Sequence, residues 1–148
     1  MSLPLEDTLF EEPQALPSEI PHHSRRVLII DDNIDLAGTL YELLELCEHE
    51  VAVAYSGPEG LNKAREFRPE IILCDIGLPG MNGYDIARAI REDELLKDIF
   101  LVAMTGYALP DDLQRAADAG FERHLAKPVD LAEIDRILAQ APEKDAKE

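Results

Sequence analysis

The sequence predicts an α/β domain, a five-stranded parallel sheet with helices on both faces. Short runs apolar at every position recur along the chain, at 27–30, 51–54, 71–74, 99–104 and within 121–126. Between them lie stretches whose apolar residues recur at steps of three and four, the spacing of an amphipathic helix. Short strands buried on both faces and alternating with helices make a parallel sheet covered on each side.

Val27-Leu28-Ile29-Ile30 opens the series. A helix is expected from about Asn33 to Cys47, because Ala37, Leu40, Leu44 and Cys47 share one face. Val51–Ala54 is the second strand. Ser56, with Pro58 in the first turn and Glu59 three residues on, marks a helix N-terminus. That helix is expected to end near Arg68-Pro69, since proline biases its predecessor out of the helical region. Ile71-Ile72-Leu73-Cys74 is the third strand, and the loop Gly77-Leu78-Pro79-Gly80-Met81-Asn82-Gly83 leads to a helix through Ala87 and Ile90.

Ile99–Met104 is the fourth strand, followed by a helix from about Pro110 to Ala119 that stops at Gly120. Phe121–Ala126 contains the fifth strand, and Asp130 with Glu133 caps a last helix carrying Leu131, Ile134 and Leu138. The expectation is a (βα)5 three-layer sandwich. Right-handed crossovers restrict its topology, and the flavodoxin-like strand order 2-1-3-4-5 suits five strands.

Residues 25–140 form this domain. Residues 1–24 carry Pro4, Pro13, Pro17 and Pro21 with Glu6, Asp7, Glu11, Glu12 and Glu19, and read as an arm or interdomain linker. His22 and His23 lie there, and two adjacent imidazoles make no metal site by themselves. Residues 141–148 read as a charged tail.

The formal charge of −17 argues against direct nucleic-acid binding, which needs Lys and Arg to displace counterions from phosphates. No apolar stretch approaches the roughly 18 residues that cross a membrane, and no signal peptide is visible. Cys47 and Cys74 each lie in apolar segments without a CxxC and read as small buried hydrophobes of a reducing compartment, here the cytoplasm.

The chemistry-bearing residues all follow strands. Asp31 and Asp32 end the first, Asp75 the third and Thr105 the fourth, and Lys127 follows the fifth. Ligands of open parallel sheets bind beyond the strands' carboxyl ends, where strand order reverses. In this order that crevice lies between strands 1 and 3, so three carboxylates converge there. Their repulsion calls for a cation, and Mg²⁺ is commonly held by carboxylates, waters and a phosphate. A metal, a lysine and a hydroxyl around one carboxylate nucleophile meet the needs of phosphoryl transfer. Taken singly, each residue has a plainer reading as a turn former, helix cap or strand end. Their conjunction at one end of one sheet carries the argument.

The chain resembles a response-regulator receiver domain, CheY-like, over about residues 25–140. The matching pieces are VLIIDDN at 27–33, ILCDIGLPGMNGYD at 72–85, LVAMTGY at 101–107 and HLAKPVD at 124–130. The resemblance implies that Asp75 is the phosphoacceptor and that Asp32 binds Mg²⁺ directly, with Asp31 binding mainly through water. It implies the Gly77 backbone carbonyl as a further metal ligand. Thr105 and Lys127 would contact the phosphoryl group, across a cis Lys127-Pro128 bond. Thr105 and His124 would be the switch residues, His124 standing where the family usually has Tyr or Phe; Tyr107 would line the same surface.

Such a domain is not a conventional enzyme. It catalyses its own phosphorylation and dephosphorylation, takes its phosphoryl group from a histidine kinase or histidine phosphotransfer protein, and signals to a downstream protein target. The chain stops soon after the fifth helix, so the expectation is a stand-alone receiver or, slightly favoured by the arm, the receiver part of a hybrid sensor kinase.

Three other readings fit less well. A haloacid-dehalogenase-like phosphatase needs a second Asp two residues after the first, and position 77 is Gly. Flavin binding needs a hydroxyl- and Gly-rich loop after strand 1, where this chain has acids. A non-phosphorylated pseudo-receiver interaction module would have lost Asp75, Asp32 or Lys127, and all three are present.

Overall fold

A computed structural model describes residues 24–106 and 109–142. His22, His23 and Tyr107, singled out above, lie outside the described residues. The elements alternate: β1 (Arg26–Ile30), α1 (Ile34–Leu46), β2 (Glu50–Ala54), α2 (Gly57–Phe67), β3 (Ile71–Asp75), α3 (Gly83–Glu92), β4 (Phe100–Thr105), α4 (Pro110–Ala119), β5 (Arg123–Ala126) and α5 (Leu131–Gln140). All strand pairings are parallel, and the order across the sheet is β2-β1-β3-β4-β5. This is the CheY-like, flavodoxin-like architecture.

The strands read as unbroken apolar runs because both faces are covered. Leu28, Ile30, Ile72, Cys74, Leu101 and Ala103 point to one side, where they meet Leu61, Ile86, Ile90 and Ala116 of α2, α3 and α4. Val27, Ile29, Ile71, Leu73, Val102 and Met104 point to the other, against Ala37, Leu40 and Leu44 of α1 and Ile134, Ile137 and Leu138 of α5. Successive strand residues face opposite sides, so one run feeds two cores. Each fully buried Leu or Ile contributes about 1.5–3 kcal/mol over its exposed state.

Helix ends follow local chemistry. Asn33 accepts the Leu36 N–H at 3.1 Å, and Ser56 accepts the Glu59 N–H at 3.3 Å. Glu59 does not reach back to Ser56; its carboxylate takes the Tyr55 N–H at 2.9 Å. Asp130 likewise accepts from Ala132 rather than Glu133, at 3.1 Å. Gly120 ends α4 with φ 122°, a conformation L side chains rarely adopt. α1 and α2 are followed by left-handed residues without glycine, Glu48 (φ 71°) and Arg68 (φ 54°).

β5 occupies Arg123–Ala126 within the stretch expected to contain it; ahead of it Phe121 is buried and the Glu122 N–H donates to the Leu101 carbonyl at 2.9 Å. One local expectation shifts. Cys74 is fully buried, whereas Cys47, at the end of α1, is only half-buried. Among the described residues no helix is long and apolar enough to cross a membrane.

The edge of the domain carries a feature the sequence did not announce. Arg25 is 4% exposed. Its guanidinium donates to the Ala141 carbonyl at 2.6 Å, the Pro142 carbonyl at 3.1 Å and the Glu70 carboxylate at 3.1 Å. Its backbone N–H donates to Nδ1 of buried His49 at 3.0 Å. This clamp joins the starts of β1, β2 and β3 to the end of α5.

Candidate functional site

Sheet register sets the geometry at the opposite end. Ile30 pairs with Ala54 on one side and with Cys74 on the other. The residues that follow, Asp31 and Asp75, therefore leave neighbouring strands at one level. The chain passes from β1 outward to β2 and then back across to β3, which opens a crevice at that level. Asp31 is fully buried and held there, its N–H donating to the Ala54 carbonyl at 3.1 Å. Asp32, next in the chain, is exposed.

Asp31, Asp32 and Asp75 each offer a carboxylate oxygen within 4.8 Å of the others. Lys127 reaches them from the end of β5. Its Nζ lies 3.0 Å from Asp31 Oδ2 and 3.5 Å from Asp75 Oδ1. The Lys127 N–H donates to the Thr105 carbonyl at 2.8 Å, which ties this residue to the end of β4, and the Lys127-Pro128 peptide is cis. Thr105 is buried and pairs with Ala126.

Backbone N–H groups complete the setting. Asn33 donates to Asp31 Oδ1 at 2.9 Å, and Gly77 donates to Asp75 Oδ1 at 3.1 Å. Sequence reasoning named Gly77 for its carbonyl alone. The N–H bond is a short-range turn contact, and an Asp two residues before a glycine was the signal for it.

The electrostatics are unbalanced. Three carboxylates face one ammonium, which leaves two negative charges in a partly buried crevice. Burial pushes the Asp75 carboxyl above its usual range and the Asp31 charge adds to that, against the Gly77 N–H and Lys127, which pull it down. Burial alone would depress Lys127, but its hydrogen bond to Asp31 and the charges of Asp75 and Asp31 raise it. Lys127 is thus a fixed cation. The donor set is all oxygen and short of positive charge by two, which fits a hard divalent ion such as Mg²⁺.

Other expected residues lie apart from the carboxylates. His124 is exposed on β5, in a groove shared with Arg123, Glu133, Arg136, Ile137 and Gln140. Two large apolar side chains that sequence reasoning did not single out stand at the carboxylate end of the sheet, Ile34 (65% exposed) opening α1 and Leu109 (58% exposed) preceding α4. Their position directly after strand-end motifs was the available signal.

Comparisons with known proteins agree with this geometry. A family model described as the response regulator receiver domain matches residues 27–139. Transcriptional regulatory protein PrrA of Mycobacterium tuberculosis (strain ATCC 25618 / H37Rv) is 35% identical over 111 residues, covering 75% of this chain and 47% of PrrA. DNA-binding response regulator MtrA of Mycobacterium leprae (strain TN) is 40% identical over 58 residues, 39% of this chain and 26% of MtrA. The chain thus spans less than half the length of these relatives.

Among solved structures, chemotaxis protein CheY4 of Vibrio cholerae superposes with a TM-score of 0.77 at 26% identity, covering 81% of this chain and all of CheY4. The receiver domain of sensor histidine kinase PA1611 from Pseudomonas aeruginosa PAO1 gives 0.74 at 29% identity, covering 80% of this chain and 98% of its own. That structure holds a magnesium ion coordinated in the active site cleft.

Proposed function

This chain belongs to the response regulator receiver domain family of two-component systems, and on that premise we propose that it accepts a phosphoryl group from a phosphohistidine onto Asp75. The observation that carries the reading is the convergence of Asp31, Asp32 and Asp75 within 4.8 Å, with Lys127 bridging Asp31 and Asp75.

In this reading Asp75 Oδ1 stays engaged by the Gly77 N–H and Lys127, and attack falls to its other oxygen. A bond forms from that oxygen to phosphorus as the phosphorus–nitrogen bond to the donor imidazole breaks, the electron pair leaving on nitrogen. Lys127 neutralises charge on one flank of the transferring group and the Thr105 hydroxyl donates a hydrogen bond on another. Asp31, Asp32, Asp75 and the Gly77 carbonyl would hold Mg²⁺, whose charge, when bound, would neutralise that of the phosphoryl oxygens. Hydrolysis of the acyl phosphate returns the carboxylate.

The new dianion draws Thr105 inward and His124 with it, biasing two states of the surface formed by α4, β5 and α5 toward a downstream protein. The phosphoryl donor is a histidine kinase or phosphotransfer protein, and the apolar Ile34 and Leu109 beside the crevice suit docking of its helices. MtrA is named for DNA binding, yet the matched segment is 26% of its length. Within the present segment the acidic balance opposes contact with nucleic acid. The absence of a membrane-crossing helix among the described residues and the two cysteines suit the cytoplasm.

Relatives come from both a sensor kinase and transcriptional regulators. A kinase core upstream in the same reading frame would make this chain the receiver part of a hybrid kinase, the arrangement we favour. The chemistry is tested by incubating the chain with a small phosphodonor and Mg²⁺. A mass gain of one phosphoryl group, lost in Asp75→Asn, is expected. No gain, or a gain that Asp75→Asn leaves unchanged, rejects the reading.

A further inference from the structure

Gly83 opens α3 and is buried, and its φ lies outside the left-handed region. Backbone conformation does not call for glycine there, and helix propensity favours alanine. Space is what excludes a side chain. A Cβ would stand 2.7 Å from Ile76 Cα, 2.9 Å from the Asp75 carbonyl oxygen and 3.3 Å from Ile76 N. These are main-chain atoms of the carboxylate residue and its neighbour, and they cannot swing aside as a side-chain tip can.

The same contact is a hydrogen bond. Gly83 N–H donates to the Ile76 carbonyl at 3.0 Å, while Ile76 N–H donates to the Met104 carbonyl at 3.0 Å. Residue 76 is thereby gripped between α3 and β4. A reciprocal cap, Asp85 N–H to Asn82 at 3.0 Å and Asn82 N–H to Asp85 at 3.3 Å, fixes where α3 begins.

We propose that Gly83 is a positioning residue for Asp75: its bare Cα lets α3 press the main chain of Asp75 and Ile76 toward Asp31 and Lys127. The inference rests on the phosphoryl-acceptor reading and adds to it a residue that touches neither metal nor phosphate. Gly80 supplies the contrast. Its φ is +72°, so alanine there strains the loop, but a Cβ would meet nothing within 4 Å.

The test is a Mg²⁺ titration of the full chain followed by backbone amide NMR, with thermal unfolding alongside, on wild type, Gly83→Ala and Gly80→Ala. Gly83→Ala should shift the Ile76 and Gly77 amides before any metal is added and raise the Mg²⁺ dissociation constant about tenfold. It should also slow phosphorylation by a small donor about 100-fold, the scale of a 1 Å misplacement. Gly80→Ala should lower the unfolding midpoint while leaving the Mg²⁺ constant at its wild-type value.

A folded Gly83→Ala with wild-type amides and Mg²⁺ affinity overturns the inference, as does a Gly80→Ala that weakens Mg²⁺ equally. Should Gly83→Ala not fold, Asn82→Ala releases the cap without adding an atom. It should move the same two amides and weaken Mg²⁺ several-fold, and unchanged binding overturns the inference. A wild-type chain that neither binds Mg²⁺ nor gains mass rejects the functional reading itself, and the inference with it. Wild type and Gly83→Ala behaving alike reject the inference alone.

Discussion

The two ends of the sheet each hold a cation among acceptors, Arg25 buried and Lys127 half-buried, and they use it differently. At the amino end Arg25 meets one carboxylate, Glu70, and two carbonyls, those of Ala141 and Pro142. Charge is matched and the fork of donors is spent on fixed acceptors. At the carboxyl end Lys127 meets Asp31 and Asp75, with Asp32 nearby, so one ammonium serves three acids. A satisfied buried charge locks chain segments together. A set left short of positive charge stores repulsion that a ligand can relieve. Structure and chemistry are thus kept at opposite poles of one sheet.

Paired substitutions can break this contrast. The largest effect is expected from Lys127→Ala, which removes a preorganised cation from the reacting group. Phosphorylation by a small donor should slow about 10²–10³-fold, followed by intact-mass time courses. Arg25→Ala should do the reverse. Glu70 and two carbonyls lose their donor in a buried setting, and urea denaturation should show a loss of about 3 kcal/mol, with the phosphorylation rate near wild type. A slow but stable Arg25→Ala would erase the distinction between the poles.

Asp75→Asn sharpens it through pH. The Asp75 carboxyl is held above its usual range in the folded chain, chiefly by burial. Its charge therefore opposes folding at neutral pH, and that opposition disappears below the value of an unfolded Asp, about 3.9. In metal-free buffer at pH 7 the variant should melt a few degrees above wild type, with the gain shrinking as pH falls toward 4. A gain that persists unchanged at pH 4 would point to packing rather than charge.

The smallest effect concerns the two thiols, one near each pole. Cys74 adjoins Asp75, and burial followed by the charges of Asp75 and Asp31 pushes its thiol far up. Cys47 ends α1 and is half-buried; burial and then Asp135 raise it as well. A thiol reagent at pH 8 should label Cys47 in the native chain and Cys74 only on unfolding. Mass mapping of the labelled peptides distinguishes the two.

Much of this molecule was legible before any coordinates. The sheet is buried on both faces, so its strands announce themselves as unbroken apolar runs, and Ala37, Leu40 and Leu44 fall on the core side of α1 as their spacing requires. The site was legible because a parallel sheet sends residues that follow different strands to one place. What stayed hidden depends on partners remote in the chain. The neighbours of Arg25 in sequence give no sign of its burial; Glu70 and the carbonyls at 141 and 142 are what bury it. Gly83 reads as one more turn glycine until Ile76 is found against its Cα. The half-buried state of Cys47 depends on where α1 ends over its neighbours, and periodicity does not set that.

The Arg25 clamp also fixes how this unit can be wired. It ties the backbone entering at Ser24 to the backbone leaving at Pro142, at the pole remote from the carboxylates. Whatever joins the described unit at residue 24 and at residue 142 therefore attaches on one side of it, like two leads at a single socket, while the carboxylates face the other pole.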